Sequence, residues 1–382
     1  MSLAEALDTM EFDSFYAFNE ARLASVTRAF VEHFPGRVLY AVKANPLSQV
    51  LGTVLRNGVA GFDIASLAEA RLVHSVSPHA RSWFMNPAKS RRDIERTFRE
   101  LGVRDYVVDC EAELWKLLDV LPLHDTELRV YVRFSSSQTS AIYDLNSKFG
   151  ASPSEALRLL GIVNAHSRWT TGLSFHTGSQ TLTVEPYLHA IRIAADIIGA
   201  TSPAPVALDI GGGFPGRYLN IPYQPPSAMM AKVVDFVSDA HGLDNIELLC
   251  EPGRALVHDS MSLFCRVILR KDEALYCGAG IYSGLLSAHQ FLQLPTRAWR
   301  DGRAIESDDR QDFIIFGPTC DSMDRLGFSY ALPDKLREGD WLEFQHVGAY
   351  SETVRCAFNG FSVDHIVAVT EDELAVRRQE AW

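Results

Sequence analysis

The chain has 382 residues, 47% of them apolar, which is too long for one compact sandwich and long enough for a barrel of about 250 residues plus a smaller domain. Acidic residues outnumber basic ones by 48 to 36, and the formal charge of -12 argues against a nucleic-acid backbone or an anionic membrane surface as partner. Six cysteines, mostly within apolar runs, show neither disulfide spacing nor a CxxC metal pattern, so a reducing cytoplasm and no bound metal are expected. The acidic start MSLAEALDTMEFDSF and the lack of a long apolar run predict a soluble protein with neither signal peptide nor membrane span.

In chain order, short apolar runs that predict strands lie at residues 38–42, 61–64, 82–85, 105–108, 128–134, 172–175, 206–210 and 246–250. Amphipathic stretches that predict helices fill the gaps, at 47–58, 66–76, 90–102, 111–121, 152–166, 184–200 and 226–242. The fifth of these opens with Ser152, Pro153 and Glu155, a capping box with proline at the first helical position. Strict alternation means parallel strands joined by crossover helices, and eight units predict an α/β fold of the (β/α)8 TIM-like barrel kind over residues 19–258. After Arg254 the helical period disappears. Runs at 262–270, 312–318, 340–350 and 364–370 predict an antiparallel β domain over 259–382, joined by strand pairing from residues 1–18. The charged stretch 300–311, RDGRAIESDDRQ, reads as a solvated loop.

Chemistry in such a barrel collects where the strands end. Lys43 in YAVKANP follows the first strand as a lone lysine between apolar residues, where partial desolvation would lower its pKa and suit it to imine formation. A lysine reaching out to solvent is the bland alternative. Asp63 and Ser66 follow the second strand and Arg133 the fifth, while SFHTGSQ places His176 and Ser179 after the sixth. The seventh strand ends in LDIGGGFPG, where Gly211, Gly212 and Gly213 let backbone N–H groups approach an anion; a tight turn needing positive φ is the alternative. The eighth ends in CEPGR, presenting Glu251, Gly253 and Arg254. Together an imine-forming lysine, a phosphate loop and a paired carboxylate and guanidinium suggest an aldehyde cofactor with a phosphate tail.

At these residues the sequence resembles the fold type III decarboxylases, the ornithine, lysine, arginine and diaminopimelate decarboxylase family. YAVKANP, FHTGSQ, LDIGGGFPG, EPGR, GPTCDSMD and GAYSETVRCAFNGF are similar to the family's motifs and stand in the family's order. The resemblance implies pyridoxal 5′-phosphate as cofactor, bound by Lys43 as a Schiff base, with His176 stacked on the ring and Glu251 paired with the ring nitrogen. It implies that Ser179, Gly211 to Gly213, Arg254 and Tyr350 hold the phosphate, with Asp63, Arg133 and Gly253 also at the cofactor. Cys320 would be the proton donor, and Asp321, with Tyr282 and Phe358, would meet the distal amine of the substrate. In the family Cys320 and Asp321 act on the cofactor of the partner subunit, which implies a head-to-tail homodimer with two shared sites. An aspartate after Cys320 favours ornithine or lysine over diaminopimelate. The segment CGAGIYSGLLSAHQFLQLP departs from the ornithine pattern, with His289, Gln290 and Phe291 where a second acid is expected, so a modified or bulkier amino acid stays open. An amino-acid racemase and a non-catalytic regulatory relative are the rival readings.

Overall fold

The computed structural model describes residues 3–9, 11–145, 147–240, 242–243 and 245–370. The chain divides into two compact units, one spanning 27–215 and 224–255, the other formed from residues before 27, from 216–223 and from the chain after 255.

The first unit is the barrel. Its strands are β1 (Arg37–Ala41), β2 (Gly61–Ile64), β3 (Ser82–Phe84), β4 (Asp105–Val108), β5 (Arg129–Arg133), β6 (Thr170–Ser174), β7 (Ala207–Asp209) and β8 (Glu247–Cys250). All pair in parallel, and the ring closes from β8 back to β1 through Leu249 opposite Arg37. These are the eight predicted strands, each within a few residues of its expected limits. The seven predicted helices form as well. Ser66, Ser90 and Ser152 each accept the backbone N–H three residues on, at 3.2, 3.0 and 3.2 Å, and an acidic residue stands at that third position. Helix Arg91–Leu101 stops at Gly102, whose φ of 68° is the left-handed cap that glycine takes without strain. An unpredicted helix, Glu20–His33, leads into β1.

Strand parity sets what the barrel interior contains. Leu39, Trp83, Met85, Val107, Tyr131, Ala207 and Leu249 form one buried apolar cluster. Side chains two residues apart share a face, so the next inward position on β5, β7 and β8 belongs to Arg133, Asp209 and Glu251. The core thus turns from apolar to charged within one step along the strands.

The second unit is a sheet of β9 (Met261–Lys271), β10 (Ala274–Cys277), β11 (Thr296–Arg300), β12 (Arg310–Phe316), β13 (Arg325–Pro333) and β14 (Trp341–Phe344), ordered β11-β14-β9-β10-β12-β13. The strand Ser14–Phe18 lies antiparallel to β9 and parallel to Ile366–Ala368. The domain is mostly antiparallel, as expected, and β10 in addition runs parallel to β12. β9 pairs with β14 over Leu263–Arg266 and with β10 over Val267–Lys271, where its register shifts between Val267 and Leu269. Phe15 stacks on Phe264 with ring centroids 5.0 Å apart, and Trp299, Trp341 and Val367 complete that core. The stretch 300–311 is only partly a loop. Asp301 and Gly302, at φ 50° and 69°, make a tight hairpin that returns Arg303–Ala304 onto β11. Among the described residues, no helix is long and apolar enough to cross a membrane.

Candidate active site at the barrel mouth

Lys43 sits on a short turn, Val42–Ala44, directly after β1. Its Nζ is 2.8 Å from Asp63 Oδ2 on β2; the lysine side chain is 42% exposed, while the carboxylate is buried. The amine is therefore accessible and charge-paired, not isolated in an apolar pocket as the sequence suggested. Asp63, Arg133 and Glu251 all act electrostatically on one another across this mouth. Burial works against the Arg133 charge, and Glu251, Asp109 and Asp63 offset it.

Two carboxyls stand side by side at the ends of β7 and β8. Asp209 Oδ1 accepts the Gly211 N–H at 2.8 Å, and the Glu251 N–H donates to Gly211 O at 2.9 Å. Burial pushes the Asp209 carboxyl up from 3.8 to about 7. Burial, and then the charges of Asp209 and Asp63, hold Glu251 well above the usual carboxylate range. Such a pair keeps a proton at neutral pH and can share it with a basic nitrogen placed beside it.

His176 follows β6. Its Nδ1 accepts the Gly178 N–H at 3.0 Å, so the ring proton resides on Nε2. Desolvation, then the Arg133 and Lys43 charges, keep the imidazole well below its ordinary pKa and hence neutral. A Cβ built on Gly212 would come within 3.1 Å of His176 Nε2 and 2.7 Å of Glu251 O. One on Gly213, at φ 100°, would lie 2.5 Å from Gly178 O. This cradle excludes every side chain and leaves backbone groups facing the mouth. Beside it Arg254 Nη2 donates to Ser179 Oγ at 3.3 Å, a cation and hydroxyl together where a phosphate can be held. The turn at Gly253 packs against the Lys43 turn, where a Cβ would meet Ala44 Cβ at 2.8 Å. An amine, a flat neutral ring, a proton-holding carboxyl pair and an anion cradle are the donor set that pyridoxal phosphate requires, so the residues present fit that group.

The remaining predicted residues belong to the second unit. Tyr282 donates its hydroxyl to Asp321 Oδ2 at 2.5 Å, and its ring lies 5.0 Å from that of Phe358. The Met323 N–H donates to the other Asp321 oxygen at 2.9 Å, and the two bonds hold the carboxyl below its ordinary range. Cys320 is exposed beside it, and all six cysteines are free, Cys110, Cys320 and Cys356 exposed and the other three buried. Tyr350 sits on a turn at φ 55°, lining a small cavity with Tyr218, Gly284 and His346.

Four site residues escaped the sequence reading. Asp209 sits inside LDIGGG, where the glycines took all the attention although strand parity marks it as inward. Tyr187 donates to Gly212 O at 2.8 Å, and Thr177 bonds Thr181 at 2.9 Å beneath Gly213; neither pairing has a local signature. Ser66, named at the end of β2, is a helix cap.

A family model described as the pyridoxal-binding domain of pyridoxal-dependent decarboxylases matches residues 20–258. The chain is 34% identical to the decarboxylase flvG of Aspergillus flavus, over 85% of this chain and 78% of that one. It is 30% identical to the ornithine decarboxylase of Schizosaccharomyces pombe, over 88% and 78%. The structure of the Vibrio vulnificus lysine/ornithine decarboxylase complexed with cadaverine superposes with a TM-score of 0.82 at 27% identity, over 95% and 96% of the two chains. On the barrel mouth and these matches together, the chain belongs to the ornithine, lysine and arginine decarboxylase family and is a pyridoxal-phosphate-dependent amino acid decarboxylase.

Proposed function

We propose that the chain decarboxylates a basic L-amino acid, ornithine or lysine or a modified relative, to the corresponding amine. The observation that carries this reading is the Asp321 carboxylate, kept ionised by Tyr282 and Met323 beside the exposed ring of Phe358. One anion next to a pair of aromatic rings suits a distal ammonium on an alkyl chain.

Lys43 is the amine that binds the cofactor and yields it to the substrate, and Asp63 orients it. His176, neutral, offers a flat face for the cofactor ring. Glu251, supported by Asp209, holds the proton on the ring nitrogen. Pyridoxal phosphate supplies the sink for the electron pair that the departing carboxylate leaves behind. Ser179, Gly211 to Gly213, Arg254 and Tyr350 hold its phosphate, with Gly253 also at the cofactor and Arg133 balancing the charge of the mouth. Cys320 delivers the proton that replaces the carboxylate, as a general acid. The active unit is a homodimer, each subunit lending Cys320, Asp321, Tyr282 and Phe358 to the other's barrel, and the enzyme is cytoplasmic.

A mass-spectrometric product screen against ornithine, lysine, arginine, diaminopimelate and N-alkylated relatives tests the substrate. Amine formation confined to a neutral or acidic amino acid refutes it. Lys43→Ala should abolish the visible absorbance of bound cofactor and its reduction by borohydride; a variant keeping both refutes the assignment of Lys43.

A further inference from the structure

Cys320 lies on a loop gripped from both sides. Ahead of it, Thr319 gives its N–H and its hydroxyl to Asp324 Oδ2, at 3.1 and 2.7 Å; behind it, the Asp324 N–H donates to Asp321 O at 3.0 Å. The N–H of Cys320 itself donates to Asn359 Oδ1 at 3.1 Å, across 39 residues of chain. Asn359 occupies the left-handed region, φ 54° and ψ 16°, which asparagine tolerates better than other non-glycine residues. Its turn is closed by Gly360 N–H to Ala357 O at 3.0 Å and Phe361 N–H to Phe358 O at 3.1 Å. The same turn carries Phe358, whose ring rests on Tyr282, and Tyr282 in turn holds Asp321. One exposed turn therefore braces both members of the Cys320–Asp321 pair, and Asn359 is its only direct link to Cys320 among the hydrogen bonds described.

We propose that Asn359 is a positioning residue for the reaction, fixing the backbone of Cys320 so that the thiol delivers its proton to the substrate Cα and to no other carbon. This rests on the reading of Cys320 as the proton donor. When the Cα–carboxylate bond breaks, carbon dioxide leaves and the electron pair stays behind. A proton from Cys320 Sγ–H at Cα completes the amine, and the thiolate regains a proton from water. Were the proton to reach the carbon contributed by the cofactor's aldehyde instead, one water would release an aldehyde product and leave the amino group on the cofactor. The ratio of aldehyde to amine therefore reports where the thiol points.

Asn359→Gly keeps the left-handed backbone without strain and deletes only the acceptor; Asn359→Asp keeps both. In the holoenzyme, the product ratio is measured by mass spectrometry, together with iodoacetamide labelling of the Cys320 peptide relative to that of Cys110. The glycine variant should raise the aldehyde fraction and change relative Cys320 labelling by about fivefold, the scale set by one ordinary hydrogen bond. The aspartate variant should restore both. If Cys320→Ala diverts product to aldehyde while Asn359→Gly keeps the wild-type ratio, the role of Asn359 is refuted. If Cys320→Ala itself keeps the wild-type ratio, the proton-donor reading falls first.

Discussion

Replacing Asp209 by asparagine removes one buried titratable group, and with it the carboxyl that faces Glu251. The side chain has no exposed surface, and an amide oxygen can still accept the Gly211 N–H at 2.8 Å. In the wild type, burial raises the carboxyl from 3.8 to about 7. A folded-state pKa above the unfolded value means that, between about pH 4 and 7, the unfolded chain has released a proton that the native protein retains, so stability falls as pH rises. At about 1.4 kcal/mol per unit, this group costs the native state at most about 4 kcal/mol by neutral pH. Asp209→Asn abolishes that cost while leaving stability at acid pH nearly unchanged. Thermal unfolding of the cofactor-free protein should show the variant gaining on the wild type between about pH 4 and 7, by up to about 5 °C in Tm. Tm profiles that stay parallel across that range would refute the claim that Asp209 holds a proton in the empty barrel. Cofactor binding should narrow the difference, since a ring nitrogen beside Glu251 gives the pair a cation to face.

Gly213→Ala meets Gly178 O, Thr177 Oγ1 and Thr181 Oγ1 at 2.5, 2.7 and 2.8 Å and forces φ 100° on a side chain; it should cost about 2–5 kcal/mol and weaken cofactor retention, checked by denaturation midpoint and dialysis. Lys89, buried, donates to Val107 O at 2.5 Å and to Asn86 O and Pro87 O at 3.1 Å, and pairs with Glu113. Lys89→Met should destabilise by about 3–5 kcal/mol. Burial pushes that ammonium down to about 8, so the unfolded chain binds the extra proton above that value. Wild-type stability from this group therefore rises between about pH 8 and 10, a rise the variant should lack in pH-resolved melts. Tyr282→Phe removes the donor to Asp321 and should raise KM for the basic substrate about fivefold, measured by amine release.

The barrel was legible because its signals are local and repeated. An apolar run followed by an amphipathic helix recurs seven times, with a serine cap on three of those helices, and Lys43, His176 and the glycine loop stand at predictable ends of that rhythm. The sheet unit was harder to read. β13, RLGFSYALP, contains glycine and proline and alternates exposed with buried positions irregularly, and β10 has only four residues. Pairings such as Tyr187 with Gly212 join residues distant in sequence, and no local pattern encodes them. Lys43 was readable by position but not by surroundings, because its partner Asp63 belongs to the next strand.

The strand Ser14–Phe18 is buried at all five residues, yet one of its partners is β9 and the other is Ile366–Ala368. During synthesis this apolar segment emerges before the barrel and waits while the whole barrel is translated. Its second edge is covered only after residue 368 has left the ribosome. The barrel can assemble as its strands appear, each beside its predecessor, but the sheet waits for a strand more than 100 residues beyond the barrel's last one. Until then SFYAF is an open edge of the kind that recruits stray strands, which makes the first twenty residues the point at which newly made protein is most exposed to aggregation and to chaperone capture.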